Sequence, residues 1–395
     1  MRISTVTFQD NALNQMQALE SDLSKTQTQL STGKQLQSAA DNPAAMAQVN
    51  QLNTELSASQ QYVTNGNAAS ANLQLEANAL TNATNVLQSA RDLAVQANNA
   101  SLTSTQRQDI ATQLQQLLQQ LIAAGNSTDS NGNYLFGGYA SSAQPFSTAG
   151  NSVSYAGTQD VSQIQISANQ RISAGDSGSS VFMNIPAGNG TFTTAAAAGN
   201  TGNAWIDGGS VTDLASWVPD TYTVSFTSAT QYQVTNSSNV VVASGTYTSG
   251  DAIDFNGAQV TVSGVPAAGD QFTVSPAGAA SAFSTLSSLV ATLSSTTLSP
   301  AQITTQLGGA IQQIDGAINN IDNVQASVGG RINAVTATQS SAQSLQTNLQ
   351  SSISQLSDVD YAAATTQLST EELALQAAQE SYASLAKLSL FNYLG

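Results

Sequence analysis

The sequence predicts an α+β protein in which helices from both ends form an elongated coiled-coil rod and a β domain is inserted between them. Apolar residues recur in steps of three and four over the first and last parts of the chain, as in helices that bury a seam against a helical partner. Between about residues 177 and 276, apolar and polar residues alternate between Gly- and Asn-rich turns, which indicates strands. A helical bundle carrying an inserted domain is the alternative arrangement.

The composition argues against several functional classes. The chain of 395 residues has a formal net charge of −16 and contains neither Cys nor His. Because no basic patch can neutralise phosphates, we expect no nucleic-acid partner. The lack of His and Cys removes common general bases and metal ligands, so we expect neither an enzyme nor a cofactor site. No apolar run reaches about 18 residues, so membrane insertion is not expected, and the start does not read as a cleaved signal peptide.

Three helices are predicted in the N-terminal part. The first has apolar residues at heptad spacing and should end at Gly33, because glycine readily takes the left-handed conformation that closes a helix. The second should begin after Asn42, whose side chain can cap it, with Pro43 in the first helical position. Thr103 and Gln106 form a capping box for the third.

Turn and strand signals occupy the middle of the chain. A short aromatic strand is predicted after the Asn131-Gly132 turn, and its side chains are expected in the core, namely Tyr134, Phe136 and Tyr139. Farther on, a strand-like run begins at Val181. The clearest alternation lies at residues 222–226, and Asn256-Gly257 should form the turn of a β-hairpin.

The C-terminal part is predicted to be helical again. A long heptad helix should run from the Ser299-Pro300 cap to a break at Asp358 and Asp360, and a final helix should follow. The last eight residues are unusually apolar for a chain end. Burying one such side chain gains about 1.5–3 kcal/mol, so these residues favour burial against a neighbour.

We therefore predict an assembly interface on the apolar stripes of the first and last helices, with ordinary packing inside one molecule as the alternative. Its residues are Ile3, Ala12, Met16, Leu19, Leu23, Leu30, Leu368, Leu375, Tyr382, Leu385, Leu388, Leu390, Phe391 and Leu394. Three parts are expected: a terminal helical assembly domain, a helical rod domain with short β-hairpins, and an outer β domain. Their predicted ranges are 1–42 with 357–395, 43–176 with 277–356, and 177–276.

Several stretches carry a resemblance to a known family. They are MRIST, LSTGKQLQSAADNPAAMAQV, TSTQRQDIATQLQQLLQQLIAAGNSTDSNGNYLFGGY, VGGRINAV and SLFNYLG. Together they resemble the flagellin-like proteins, and within these the bacterial flagellar hook-filament junction proteins (hook-associated protein 3). The resemblance covers about residues 1–145 and 281–395. Asn42 and Asn392 stand where the family commonly has Asp, and both keep a short polar side chain.

The resemblance implies an elongated flagellin-like rod and a structural adaptor function. Such a subunit would be exported to the outside of the cell without a cleaved signal peptide and would form a ring with copies of itself. It would meet hook-associated protein 1 on one side and flagellin on the other, and an export chaperone would bind its C-terminal helix. Structural roles would fall on Asn42, Pro43, Arg107, Tyr134, Phe136 and Arg331.

The two arginines, Arg107 and Arg331, are expected to be buried or half-buried and paired with carboxylates or carbonyls, with a contact between subunits as the alternative. Two other functions stay open at this point. The chain resembles, less closely, a flagellin or flagellin-like filament subunit. A surface adhesion module acting through the central β domain is the third possibility, although nothing in that stretch marks a ligand site.

Overall fold

The predicted α+β class, with helical ends and a central β region, is confirmed. The computed structural model describes residues 5–99, 101–150 and 152–391. The chain divides into two compact units: one combines Met1–Thr64 with Thr338–Gly395, and the other is Asn65–Ala337. The three-part division proposed from the sequence stays a prediction.

The described residues contain seven helices and fifteen strands. The helices are α1 (Thr5–Thr32), α2 (Pro43–Ala97), α3 (Ser104–Gly125), α4 (Gly178–Phe182), α5 (Ala282–Ser294), α6 (Pro300–Ser357) and α7 (Tyr361–Phe391). The strands are β1 (Phe146–Ala149), β2 (Ser152–Tyr155), β3 (Gln163–Ser167), β4 (Gln170–Ser173), β5 (Ile185–Pro186), β6 (Phe192–Ala196), β7 (Trp205–Ile206), β8 (Ser210–Val211), β9 (Tyr222–Ser228), β10 (Gln231–Thr235), β11 (Val241–Thr246), β12 (Ala252–Phe255), β13 (Ala258–Ser263), β14 (Gln271–Pro276) and β15 (Ala279–Ala280).

The heptad seam of α6 forms the spine of the helical core in the Asn65–Ala337 unit. Four seam residues one heptad apart are fully buried: Leu307, Ile314, Ile321 and Val328. They join one apolar cluster with residues of α2, α3 and α5. The side chain of Arg91 on α2 pairs with Asp315 on α6 at 2.5 Å. The long seam is therefore buried against helices of the same unit, as a sustained heptad requires.

A second core belongs to the strands. The largest sheet has the order β11-β10-β9-β14-β6, and all neighbouring strands are antiparallel. Alternate residues of β9 point into this core, with Tyr222, Val224 and Phe226 all at most 1% exposed. The predicted hairpin joins β12 to β13, where Asn256 and Gly257 have φ of 44° and 78°. Asn and Gly adopt such left-handed backbone angles more readily than other residues, which explains why this pair forms the turn.

Two sequence predictions about strands are wrong. The segment from Tyr134 to Tyr139 forms turns and a single bridge to Thr128, because the Asp129 carboxylate accepts from two backbone N–H groups of the preceding loop. The run at Val181 lies in helix α4, whose first turn is capped by the Ser177 side chain. Local turn chemistry and capping override the apolar pattern at both places.

Gly330 in α6 provides a test of helix propensity. A Cβ added there would meet nothing within 4 Å, and the residue is exposed. We expect Gly330→Ala to raise the free energy of unfolding by about 1 kcal/mol, because alanine loses less backbone entropy in a helix. Gly188→Ala is the contrasting control, since Gly188 has φ of +59° and its Cβ would lie 2.2 Å from the Phe192 oxygen. Urea denaturation of both variants gives the comparison, and a loss of stability in Gly330→Ala would contradict the prediction.

Candidate assembly surface and its supporting clusters

Helices α1 and α7 pack against each other within one unit. The predicted stripe residues of α1 are all half-buried in this pair: Ala12, Met16, Leu19, Leu23 and Leu30. Those of α7 are half-buried as well: Leu368, Leu375 and Tyr382. A single helix pair thus covers each stripe in part and leaves the rest of each stripe accessible.

Some predicted interface residues lie outside what the structure describes. Ile3 and Leu394 belong to the residues that are not described, and nothing is described of four side chains near the end of α7, those of Leu385, Leu388, Leu390 and Phe391. The interface assignment of all six stays a prediction.

Two exposed leucines were missed by the sequence reasoning. Leu13 on α1 is 43% exposed and Leu373 on α7 is 68% exposed. Leu13 directly follows the stripe residue Ala12, whereas Leu373 lies two positions before Leu375 and so about 200° around α7 from it, on the opposite side of the helix. A leucine at a position that a heptad leaves to solvent is the signal that could have found them.

A junction of two turns fixes where α1 ends and α7 begins. Gly33, with φ of 70°, accepts a hydrogen bond at its carbonyl from the Val359 N–H at 3.0 Å. The N–H of Gln35 donates to the Ser357 carbonyl at 2.7 Å. A Cβ on Gly33 would approach the Tyr361 hydroxyl to 2.9 Å, so the close approach also requires glycine. Both terminal helices are therefore anchored at one place.

Ion pairs reinforce this junction. Lys34 Nζ lies 2.5 Å from the Asp358 carboxylate, and Lys25 Nζ lies 2.9 Å from that of Asp41. The hydrogen bond from Lys25, followed by the N–H groups of Ser38 and Gln37, holds the pKa of Asp41 well below its usual range. The pKa of Asp358 is lowered by Lys34 first and then by neighbouring serines. The lysine of each pair is exposed to solvent, so each pair adds little stability and serves mainly to set geometry.

The remaining predicted structural residues lie at helix starts and in loops. Asn42 Oδ1 accepts from the Ala45 N–H at 3.1 Å, and α2 begins at Pro43. Arg107 is half-buried and donates from Nη1 to the Leu102 carbonyl at 3.1 Å. Both contacts fasten a helix N-terminus to the turn before it.

Phe136 belongs to an aromatic cluster beneath α4, whereas Tyr134 is half-buried beside it. The ring centroids of Phe136 and Phe182 are 5.3 Å apart in an edge-to-face arrangement. Phe146 and Phe283 complete the cluster, at 5.6 and 5.5 Å from Phe182. These aromatic side chains join loops, α4 and α5 into the helical core.

A buried acidic cluster was not predicted from the sequence. Glu76 on α2 is 1% exposed, and its Oε1 accepts from the Asp176 N–H at 2.9 Å. Its Oε2 has no hydrogen-bond partner within the described part of the chain. Arg331 on α6 pairs with the Asp176 carboxylate and donates to the Gly175 carbonyl. Glu76 of α2 and Arg331 of α6 therefore both bind the segment that precedes α4.

Burial, and after it the neighbouring Asp176 carboxylate, raises the pKa of Glu76 to about 8, although Arg331 opposes the rise. A carboxyl in such surroundings prefers its neutral form. Glu76 reads as an ordinary polar helix residue in the sequence, and no local signal reveals its partners 100 and 255 positions away.

The surface formed by α1 and α7 offers burial of one helix against another. None of the helices in the described ranges has an apolar stretch long enough to cross a membrane. The surface consists of the adjacent helices α1 and α7. They are anchored to each other at one end, and their apolar stripes are only partly buried.

Family models match three regions of the chain. The bacterial flagellin N-terminal helical region matches residues 3–141, and the bacterial flagellin C-terminal helical region matches residues 311–394. The D2-like domain of flagellar hook-associated protein 1 matches residues 195–276. The two ends therefore define a protein of the flagellin-like class with a different domain inserted.

Individual relatives indicate which family within the flagellin-like class the chain resembles. Flagellar hook-associated protein 3 of Salmonella typhimurium is 31% identical over 185 residues, 47% of this chain and 58% of the relative. The FlgL crystal structure from Xanthomonas campestris is 32% identical with a TM-score of 0.72, covering 77% of this chain and 99% of that one. Hook-associated protein 3 from Legionella pneumophila is 31% identical with a TM-score of 0.73, covering 79% and 98%. The chain belongs to the family of flagellar hook-associated protein 3, the FlgL proteins.

The curated relatives are matched over part of their length, since the chain spans 58% of hook-associated protein 3 from Salmonella typhimurium. The structural matches cover nearly all of the FlgL chains.

Proposed function

We propose that the chain is a structural adaptor subunit of the bacterial flagellum that joins the hook to the filament and assembles through its terminal helices. The observation that carries this proposal is the incomplete burial of the adjacent apolar stripes on α1 and α7, together with the exposed Leu13 and Leu373 on the same two helices. Half-buried apolar stripes of this kind favour burial against neighbouring helices. The family membership supports the same function.

The partners that we propose are those that the family membership supports. Copies of the chain would form a ring, with hook-associated protein 1 on one side and flagellin on the other. The subunit would reside outside the cell at the hook-filament junction. An export chaperone would cover the apolar end of α7 before export, as an amphipathic helix in a groove. The absence of cysteine suits a chain that is threaded unfolded and refolds outside.

Replacing Leu373 by glutamate tests the assembly surface. The residue is 68% exposed, so the variant should fold, but a charge would be placed where a neighbouring helix packs. In a strain that lacks the natural gene, we expect this variant to leave hooks without filaments and flagellin monomers in the medium. Leu214→Glu is the matched control, because Leu214 is 70% exposed in the β region and should support normal filaments.

A filament-subunit function gives a different result in the same strain. Antibodies against the chain would label the whole filament if it were a flagellin, and a single band at the filament base if it is an adaptor. Intact filaments in the deletion strain would rule out the adaptor function. Normal filaments with Leu373→Glu would rule out the proposed surface.

A further inference from the structure

The two edges of the five-stranded sheet both carry unpaired backbone groups. At β6, the Ala197 N–H donates to Gln271 and the Thr191 carbonyl accepts from Ala277. Odd-numbered residues therefore face β14, and Thr194 and Ala196 face away from it. The backbone groups of Thr194 and Ala196 make no hydrogen bond to any described residue.

Strand β11, at the opposite edge of the sheet, also has backbone groups that point away from its neighbouring strand. The Tyr247 N–H donates to the Thr230 carbonyl, so Gly245 and Ala243 face β10, up to the register shift opposite Thr235. Val242, Ser244 and Thr246 then direct their backbone groups outward, and these groups also lack a partner among the described residues. Val241, at the start of this edge, is 50% exposed.

Neither edge carries the charged residues or prolines that often prevent strand pairing, and the irregularity of β11 is confined to the register shift opposite Thr235. Natural edges are protected by lysine, proline or inward-pointing charge. Residues 192–198 and 240–247 contain no charged residue and no proline. Both stretches consist largely of small or β-branched side chains, which fit a pleated surface without steric conflict.

A cleft lies beside the β6 edge. Its volume is about 510 Å³, and it is bounded by β6 on one side and by α5 and α6 on the other. Every lining side chain is uncharged. Gln313 lines this cleft, is 7% exposed, and its Nε2 has no partner in the described part of the chain. A free strand edge next to a helix, with an unsatisfied donor, is suited to an added strand.

We propose that the cleft beside β6 receives strand β11 of a second copy of this chain, so that the sheets of two copies join edge to edge. The β6 edge and the β11 edge are different surfaces of one molecule. Each copy could therefore bind β11 of one neighbour at its β6 edge and insert its own β11 beside β6 of another neighbour. Heterologous contacts of this kind build rings. Two copies that each carry a net charge of −16 repel, and the uncharged edges are where that repulsion is weakest. The proposal rests on the proposed function, because assembly through α1 and α7 would hold neighbouring copies close enough for a weak edge contact to form.

Hydrogen exchange of the full-length chain at low and high protein concentration tests the proposal. We expect exchange of the outward N–H groups of Thr194, Ala196, Val242, Ser244 and Thr246 to slow at least tenfold at high concentration. Ala195→Lys and Ser244→Lys, both at exposed positions, should each abolish this slowing. Val265→Lys, at a site 60% exposed in the same β region, is the control and should keep it.

Mixing the two lysine variants gives a sharper readout. Each variant retains one intact edge, so an equimolar mixture at high concentration should slow hydrogen exchange at the intact edges, whereas neither variant alone should show this slowing at the same concentration. Edge amides that exchange at the same rate at all concentrations, while α1 and α7 become protected, would overturn this proposal and leave the adaptor function intact. Protection of the edges in both lysine variants would overturn it as well. Circular dichroism confirms that each variant is folded before either measurement.

Discussion

Phe182→Ala is expected to lower the free energy of unfolding of the Asn65–Ala337 unit by about 3–5 kcal/mol. The side chain is fully buried and contacts three other aromatic rings at centroid distances of 5.3 to 5.6 Å. Removing it loses transfer free energy, leaves a cavity between α4 and α5, and breaks the edge-to-face contacts with Phe136 and Phe146. Urea denaturation followed by near-ultraviolet circular dichroism measures the loss.

Tyr139→Ala is the control for this change. The Tyr139 side chain is 64% exposed although it lies three residues from Phe136, so its removal should change the free energy of unfolding by less than about 0.5 kcal/mol. Equal effects of the two variants would contradict the assignment of the aromatic core.

Glu76→Gln is expected to remove the pH dependence that the Glu76 carboxyl gives to the free energy of unfolding. The ordinary pKa of 4.5 rises to about 8 in the folded protein, first through burial and then through Asp176. Between these two values the unfolded chain has lost a proton that the folded chain retains. The free energy of unfolding should therefore fall as the pH rises through this window, by up to about 1.4 kcal/mol per pH unit, and level off above it.

The glutamine variant cannot ionise, and it keeps an oxygen that can accept from the Asp176 N–H. It should be more stable than the natural chain at pH 8 and similar to it at pH 5, as measured by denaturation at both pH values. Glu55→Gln is the matched control, because Glu55 is an exposed residue of the same helix and should leave the slope in place. A natural chain without any decline in stability between pH 5 and 8 would contradict the assignment.

The sequence was sufficient for elements whose cause is local. The Asn256-Gly257 turn requires left-handed backbone angles that few other residues adopt, and the hairpin lies where this pair predicts it. The capping box of Thr103 and Gln106 forms with both reciprocal hydrogen bonds. Heptad spacing likewise identified the buried seam of α6, because an apolar stripe of that length requires other helices to bury it.

Features with distant causes could not be predicted in this way. The apolar run at Val181 fits a strand or a short helix equally well, and aromatic partners from α5 and the preceding loops settle it as α4. Glu76 is indistinguishable from a solvated helix residue until Arg331 and Asp176 are brought to it. The exposed Leu373 depends on which side of α7 faces α1, and the heptad alone leaves that choice open.

The shared anchor at Gly33 and Val359 has a practical consequence for tagging the protein. With a rise of 1.5 Å per residue, the 28 residues of α1 and the 31 of α7 extend about 42 Å and about 46 Å away from that anchor in the same direction. The far ends of α1 and α7 therefore lie at similar distances from the anchor, so a fluorescent reporter placed beyond either helix would be on the same side of the helix pair. The exposed turn at Gly132, where an added Cβ meets nothing within 4 Å, is the better insertion point for a label.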